Sequence, residues 1–143
     1  MNTFKITLIF MSFWLSLSSA GADLVINVSG FKNQRGLVQV ALWNQSQGFP
    51  ENYEAAYDLL TVNFSELSNI QFRGIPAGNY GVAIYHDENS DYELNTSIFG
   101  RPKEGFAFSN DPKITFGPPK FEEVVFKLEG VKEKVINLRV RYP

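Results

Sequence analysis

The sequence predicts an all-β protein, an antiparallel β-sandwich of about seven strands (transthyretin-like or Ig-like) with one long ordered loop. Three observations carry this. Short runs of apolar–polar alternation recur at residues 23–30, 37–43, 59–64, 70–73, 80–86, 121–129 and 131–142. Clusters of Gly, Pro, Asn and Asp punctuate them. No stretch keeps a helical period long enough for an amphipathic helix.

Residues 1–22 read as a secretory signal peptide. Lys5 supplies the positive charge, residues 6–17 are almost wholly apolar, and Ala20-Gly21-Ala22 supplies small residues for cleavage. Cleavage is expected after Ala22, with Ala20 as the alternative; an uncut N-terminal anchor is the competing reading. The apolar run is shorter than the ~20 residues that span a bilayer. The expected mature chain is one domain, residues 23–143, exported to the periplasm or the outside, with no transmembrane segment. There is no cysteine, so stability must come from the core or from a bound ion. The chain has 13 Lys+Arg against 15 Asp+Glu. Loss of Lys5 makes it more acidic, and no basic stripe suggests nucleic acid.

Within the domain, Leu24, Ile26 and Val28 share one face of the first run, and Val38, Val40 and Leu42 one face of the second. The polar turn ending in Gly36 makes them an expected hairpin. Residues 44–58 form a connection with room for one helical turn at residues 51–57. The turn Gly74-Ile75-Pro76-Ala77-Gly78-Asn79 leads into a strand with Tyr80, Val82, Ile84 and His86 on one face. Its other face (Gly81, Ala83, Tyr85) begins small, open to close packing. The last two runs flank Gly130 as an expected closing hairpin.

Residues 87–120 show no clean period, and a structureless stretch of that length is unusual in a compact domain. Phe99, Phe106, Phe108 and Phe116 are expected to fold it back onto the sandwich. Its start is acidic: Asp87, Glu88, Asp91 and Glu93, with no Lys or Arg between Arg73 and Arg101. Asp87-x-Asn89-x-Asp91 has the alternating oxygen-ligand spacing that opens calcium loops, with Glu93 and Asn95 at the next two ligand positions. Tyr92 and Ile98 stand where an EF-hand needs glycine and glutamate, so this is no EF-hand. The candidate metal residues are Asp87, Asn89, Asp91, Glu93 and Asn95, for a cation such as calcium; the competing reading is a solvated acidic turn. His86 is the only histidine. Beside Asp87, with Ser90, Ser97 and Ser109 near in sequence, it also admits a hydrolase reading, without a G-x-S-x-G elbow or a cysteine nucleophile. Trp43 and the loop aromatics are either a sugar-stacking surface or core.

Residues 36–43 (GLVQVALW), 72–82 (FRGIPAGNYGV), 86–89 (HDEN), 100–110 (GRPKEGFAFSN) and 121–126 (FEEVVF) resemble the DUF2141 family of small exported bacterial proteins. Asn95 and Ser97 depart from the aspartate and asparagine usual there. The IPAGNY turn is similar to that of transthyretin-like and carboxypeptidase-regulatory-like sandwich domains. The resemblance implies fold and compartment, and no activity. The sequence therefore reads as an exported, non-enzymatic β-sandwich, a binding module for an unknown protein or glycan partner in the cell envelope, whose acidic loop takes a cation such as calcium. The alternatives are a small hydrolase using His86 and Asp87, or a purely structural envelope protein.

Overall fold

A computed structural model describes residues 21–143; apart from Gly21 and Ala22, the expected signal segment lies outside the described residues. Eight strands form two sheets: β1 Ala22–Ser29, β2 Leu37–Trp43, β3 Asp58–Val62, β4 Gln71–Ile75, β5 Gly78–Asp87, β6 Gly105–Phe108, β7 Phe126–Leu128 and β8 Glu133–Arg139. The smaller sheet runs β4-β1-β8 and the larger β3-β2-β5-β6, with β7 continuing the β6 edge of β5. The sandwich is thus as expected, with one strand more. It is not wholly antiparallel, since β1 and β8 pair in parallel.

The alternation set the inward faces correctly. Leu24, Ile26, Val38, Val40, Leu42, Val82, Ile84, Leu138 and Val140 meet between the sheets. The larger sheet is also covered on its outer face at one end. There Trp43, Ala41 and Ala83 pack under Phe49, Tyr53, Phe108 and Phe121. Phe121 opens a short helix, α1 (Phe121–Val124), inside the run expected to be strand. A Cβ at Gly81 would stand 2.8 Å from Val124 Cγ2, so the small face of β5 is what admits α1. Trp43 is fully buried here, which removes it from any sugar-stacking surface.

Neither expected hairpin forms. β1 pairs with β4 and β8, whereas β2 pairs with β3 and β5. The connection from Gly30 to Gly36 instead arches between sheets. Phe31 within it plugs the core, edge-on to Phe64 at 5.0 Å and to His86 at 5.4 Å. A hairpin would have left that ring in water. Likewise β7 pairs with β5 and β8 with β1, so the connection at Gly130 crosses between sheets. The turn after β4 is a third arch, pinned by Tyr80 O–H donating to the Pro76 carbonyl at 3.0 Å.

The long stretch after β5 is broken by β6, which pairs with β5 from Ala83↔Phe108 to His86↔Gly105. Phe106 and Phe108 are half-buried as expected. Phe99 and Phe116, in contrast, stand in solvent, 84% and 95% exposed. The expectation that all four rings fold onto the sandwich fails for these two because each sits in a turn beyond the reach of the sheet.

Candidate functional site

The acidic corner begins where β5 ends, and strand alternation decides its chemistry. His86 and Asp87 are adjacent and both completely buried, but successive side chains of a strand leave opposite faces. His86 points between the sheets, among Phe31, Phe64 and Tyr142. Its Nε2 lies 2.6 Å from the Arg35 carbonyl and its Nδ1 2.6 Å from the Tyr142 hydroxyl. A carbonyl only accepts, so Nε2 carries a proton, and in the neutral ring the Tyr142 O–H donates to Nδ1. Burial raises the Tyr142 pKa and keeps that hydroxyl protonated. The Lys32 N–H donates to the same hydroxyl at 3.3 Å. His86 is therefore a lock between β5, the β1–β2 arch and the C-terminal segment. It does not meet Asp87 in a catalytic pair. Ser109 is occupied as well. Its Oγ accepts from Val82 N–H at 2.8 Å and donates to the Val124 carbonyl at 2.6 Å, closing the gap between β6 and β7.

Asp87 organises the loop that follows. Its Oδ1 accepts the Asp91 N–H at 3.1 Å; its Oδ2 accepts the Tyr92 N–H at 2.9 Å and Gln39 Nε2–H at 3.3 Å. The curl requires positive φ at Ser90 (59°) and Tyr92 (65°), an unfavourable conformation for a bulky side chain. Tyr85 holds it further, its hydroxyl donating to the Tyr92 carbonyl at 2.9 Å. Burial raises the Tyr85 pKa, so the donor keeps its proton.

Glu88 and Glu104 tie the corner to its surroundings. Glu88 accepts from Asn33 Nδ2–H at 3.0 Å and pairs with Lys32 at 2.7 Å and Arg35 at 3.3 Å. Burial pushes its pKa up, but the bonds from Lys32 and Asn33 and the Lys32 charge outweigh this and hold it below the usual value. Buried Glu104 accepts the Glu88 N–H at 2.9 Å and the Asn95 N–H at 3.0 Å, closing the loop on itself. Gly36 fits against the Asp87 carbonyl with φ +73°, where a Cβ would collide.

Of the five candidate metal residues, the fold brings Asn89, Asp91 and Asn95 together. Asp91 Oδ2 accepts from Asn89 Nδ2–H at 2.7 Å and Asn95 Nδ2–H at 2.9 Å. The Asn95 bond and the Glu93 N–H on Oδ1 lower the Asp91 pKa. Asp87 instead turns its oxygens to backbone N–H groups, and Glu93 joins the cluster through its backbone. Among the described residues no three His, Cys, Asp or Glu side chains group as metal ligands.

Beside the corner, on the outer face of the larger sheet, lies an open groove of about 200 Å³. Tyr53, Tyr85 and Tyr92 line it, with Gln39, Leu59 and Thr61. Tyr53, from the 3-10 turn Tyr53–Ala55, lies 5.4 Å from the Tyr85 ring, and Thr61 O–H donates to Gln39 Oε1 at 2.6 Å. Tyr92 is 62% exposed on the rim. Sequence reading missed this groove: its residues come from separate strands and turns, and only Tyr85 and Tyr92 fall in the segment singled out. Glu104 was also missed as a clamp, although its EGFAFSN segment stood out.

Fold and corner together define a two-sheet β-sandwich whose most specific motifs, HDEN and EGFAFSN, are joints of the architecture. The chain belongs to the DUF2141 family, described as an uncharacterized protein conserved in bacteria, whose family model matches residues 26–136. Neither the curated proteins nor the solved structures searched give a match.

Proposed function

We propose that this protein is an exported, non-enzymatic binding module whose ligand surface is the tyrosine-lined groove, and that the ligand is a glycan of the cell envelope. The rings of Tyr53 and exposed Tyr92 beside Gln39 and Thr61 carry this reading, with buried Tyr85 as the floor. Tyrosine faces suit the C–H faces of sugar rings, and the second Nε2–H of Gln39 and the lone pairs of the Thr61 hydroxyl suit sugar hydroxyls. The unfavourable backbone at Tyr92 supports it, since two hydrogen bonds with the side chains of Asp87 and Tyr85 hold a residue with a large ring in that conformation on the rim. Retention on purified sacculi and on a panel of oligosaccharides tests it. Tyr53→Ala and Tyr92→Ala are expected to abolish retention. No retention on any of these, or retention indifferent to both substitutions, ends the glycan reading.

Export rests on the apolar segment and small residues that open the chain. Gly21 and Ala22 bear on the cleavage position. Ala22 is buried and pairs with Ile75, and Gly21 packs against the Gly74 backbone. Cleavage after Ala20 keeps both. The mass of the mature protein is expected to start at Gly21; a start at Asp23 or Met1 contradicts this.

A second reading concerns the cation. Turning over the amides of Asn89 and Asn95, with loss of the bonds their oxygens now accept, would bring both oxygens beside Asp91 Oδ2, a donor set suited to calcium. It predicts a melting temperature that rises with calcium and falls with chelator, a difference removed by Asp91→Ala. A melt unmoved by both ends it.

A further inference from the structure

The loop between β5 and β6 carries an excursion that neither the corner nor the groove uses. Lys103 N–H donates to the Asn95 carbonyl at 2.8 Å, Thr96 bridges Pro102, and Ser97 N–H donates to the Arg101 carbonyl at 2.7 Å. Gly100 N–H donates to the Ser97 carbonyl at 2.9 Å. This is a narrow two-stranded finger closed by a turn, with Ile98 and Phe99 at its apex, 94% and 84% exposed. Turns favour Gly, Pro, Asn, Asp and Ser for backbone reasons. Two large apolar side chains at the apex do nothing for this one.

The finger is also basic. Arg101 and Lys103 are exposed, and neither makes an ion pair among the described residues. The nearest acidic side chain on the β6 side, Glu104, is buried against two backbone N–H groups. On the other side Asp91 and Glu93 lie at the finger's base.

We propose that this finger docks the protein on an anionic phospholipid surface, with Ile98 and Phe99 entering the headgroup region and Arg101 and Lys103 on lipid phosphates. Charge complementarity favours this occupant. So does size: two side chains on a thin turn fall far short of the roughly 800 Å² per partner of a stable protein interface, whereas insertion into a bilayer interface needs only apolar side chains beside basic ones. The inference is independent of the glycan reading, because it uses none of the groove residues.

The test uses the chain from Gly21 onward, the whole described sandwich, so that the apolar opening segment does not bind vesicles itself. Flotation with phosphatidylglycerol-containing vesicles is expected to carry the protein, and phosphatidylcholine-only vesicles to carry much less. Phe99→Ser with Ile98→Ser is expected to weaken binding at least tenfold. Each of Arg101→Ser and Lys103→Ser is expected to weaken it about fivefold at low salt and little at high salt. Val135→Ser, an exposed apolar site on β8, is expected to change nothing. Phe99→Trp gives a second readout: its emission should shift to the blue on the anionic vesicles, above the constant signal of buried Trp43. No flotation and no shift, or binding unchanged in the double serine variant, overturns the proposal. Equal binding to both vesicle types overturns it too, as does finger-dependent capture of a protein without capture of vesicles.

Discussion

The carboxylate of Glu104 accepts the backbone N–H of Glu88 at 2.9 Å, across the base of a loop that leaves the sheet at one residue and returns at the other. Its second oxygen takes the Asn95 N–H, so one buried side chain satisfies two donors of a segment with little regular structure. Glu104→Gln keeps the shape but turns an NH₂ toward one of them. That leaves a buried donor unpaired, a loss of about 1–3 kcal/mol. Denaturant unfolding is expected to show a lower midpoint, and amide exchange at Glu88 or Asn95 to quicken. An unchanged midpoint would mean that Glu104 holds nothing.

The lock at His86 makes a different demand. Tyr142→Phe removes the group facing Nδ1 and the acceptor for Lys32 N–H, yet keeps the ring packed against the imidazole. The expected cost is about 1–3 kcal/mol, from polar groups left unpaired rather than from a cavity. The effect should shrink in a His86→Phe background, where no ring nitrogen awaits a partner. A cycle showing full additivity would disconnect the two residues.

Much of this was legible in the sequence because burial imposes a period. The alternating runs gave the inward residues of β1, β2, β5 and β8, and the glycine–alanine face of β5 announced a close neighbour. Pairing was not legible. A hairpin and an arch both join two alternating strands, and alternation reports which side is buried, not which strand lies alongside. The only hint was Phe31, an apolar residue in a connection that as a surface hairpin turn would have left it in water. β6 was missed because Gly105–Phe108 is too short to show a period. The candidate site was half legible. The spacing of Asn89, Asp91 and Asn95 does bring them together, but local N–H groups compete for carboxylate oxygens, and at Asp87 they prevail. Tyr53, Tyr85 and Gln39 meet only through tertiary packing, which no local pattern encodes.

The carboxylates of the corner set a pH dependence. The pKa values of Glu88 and Asp91 are lowered in the fold from 4.5 and 3.8. The folded protein therefore stays ionised at these sites at pH values where the unfolded chain takes up protons. Their stabilising contribution is whole above about pH 5 and drains away as pH falls through 4.5 and 3.8 toward the lower folded values. The melting temperature is expected to fall on acidification across this range. Glu88→Gln and Asp91→Asn should each melt lower than the parent at neutral pH and converge with it as pH falls below the lowered folded values. Parallel curves at all pH values would assign the loss to packing instead.

Tyr92 separates stability from binding. It holds φ at 65°, which costs a non-glycine residue about 1–2 kcal/mol. Its N–H and carbonyl are bonded to Asp87 and Tyr85 through the backbone alone, so any residue keeps those bonds. Its ring is largely exposed, and its removal takes little from the core. Tyr92→Gly relieves the strain but frees the unfolded chain by about 0.5–1 kcal/mol. Its stability is expected to be unchanged or higher by up to about 1.5 kcal/mol. Tyr92→Val loses the same ring, keeps the strain and does not carry glycine's unfolded-state entropy, so it should lie at or below the glycine variant by up to about 1.5 kcal/mol. Both should lose glycan retention alike. Thermal melts of the pair give the strain less the glycine entropy, and the retention assay gives the ring's contribution. If the glycine variant melts well below the parent, the ring is holding the loop, and the account of Tyr92 as a strained binding residue is wrong.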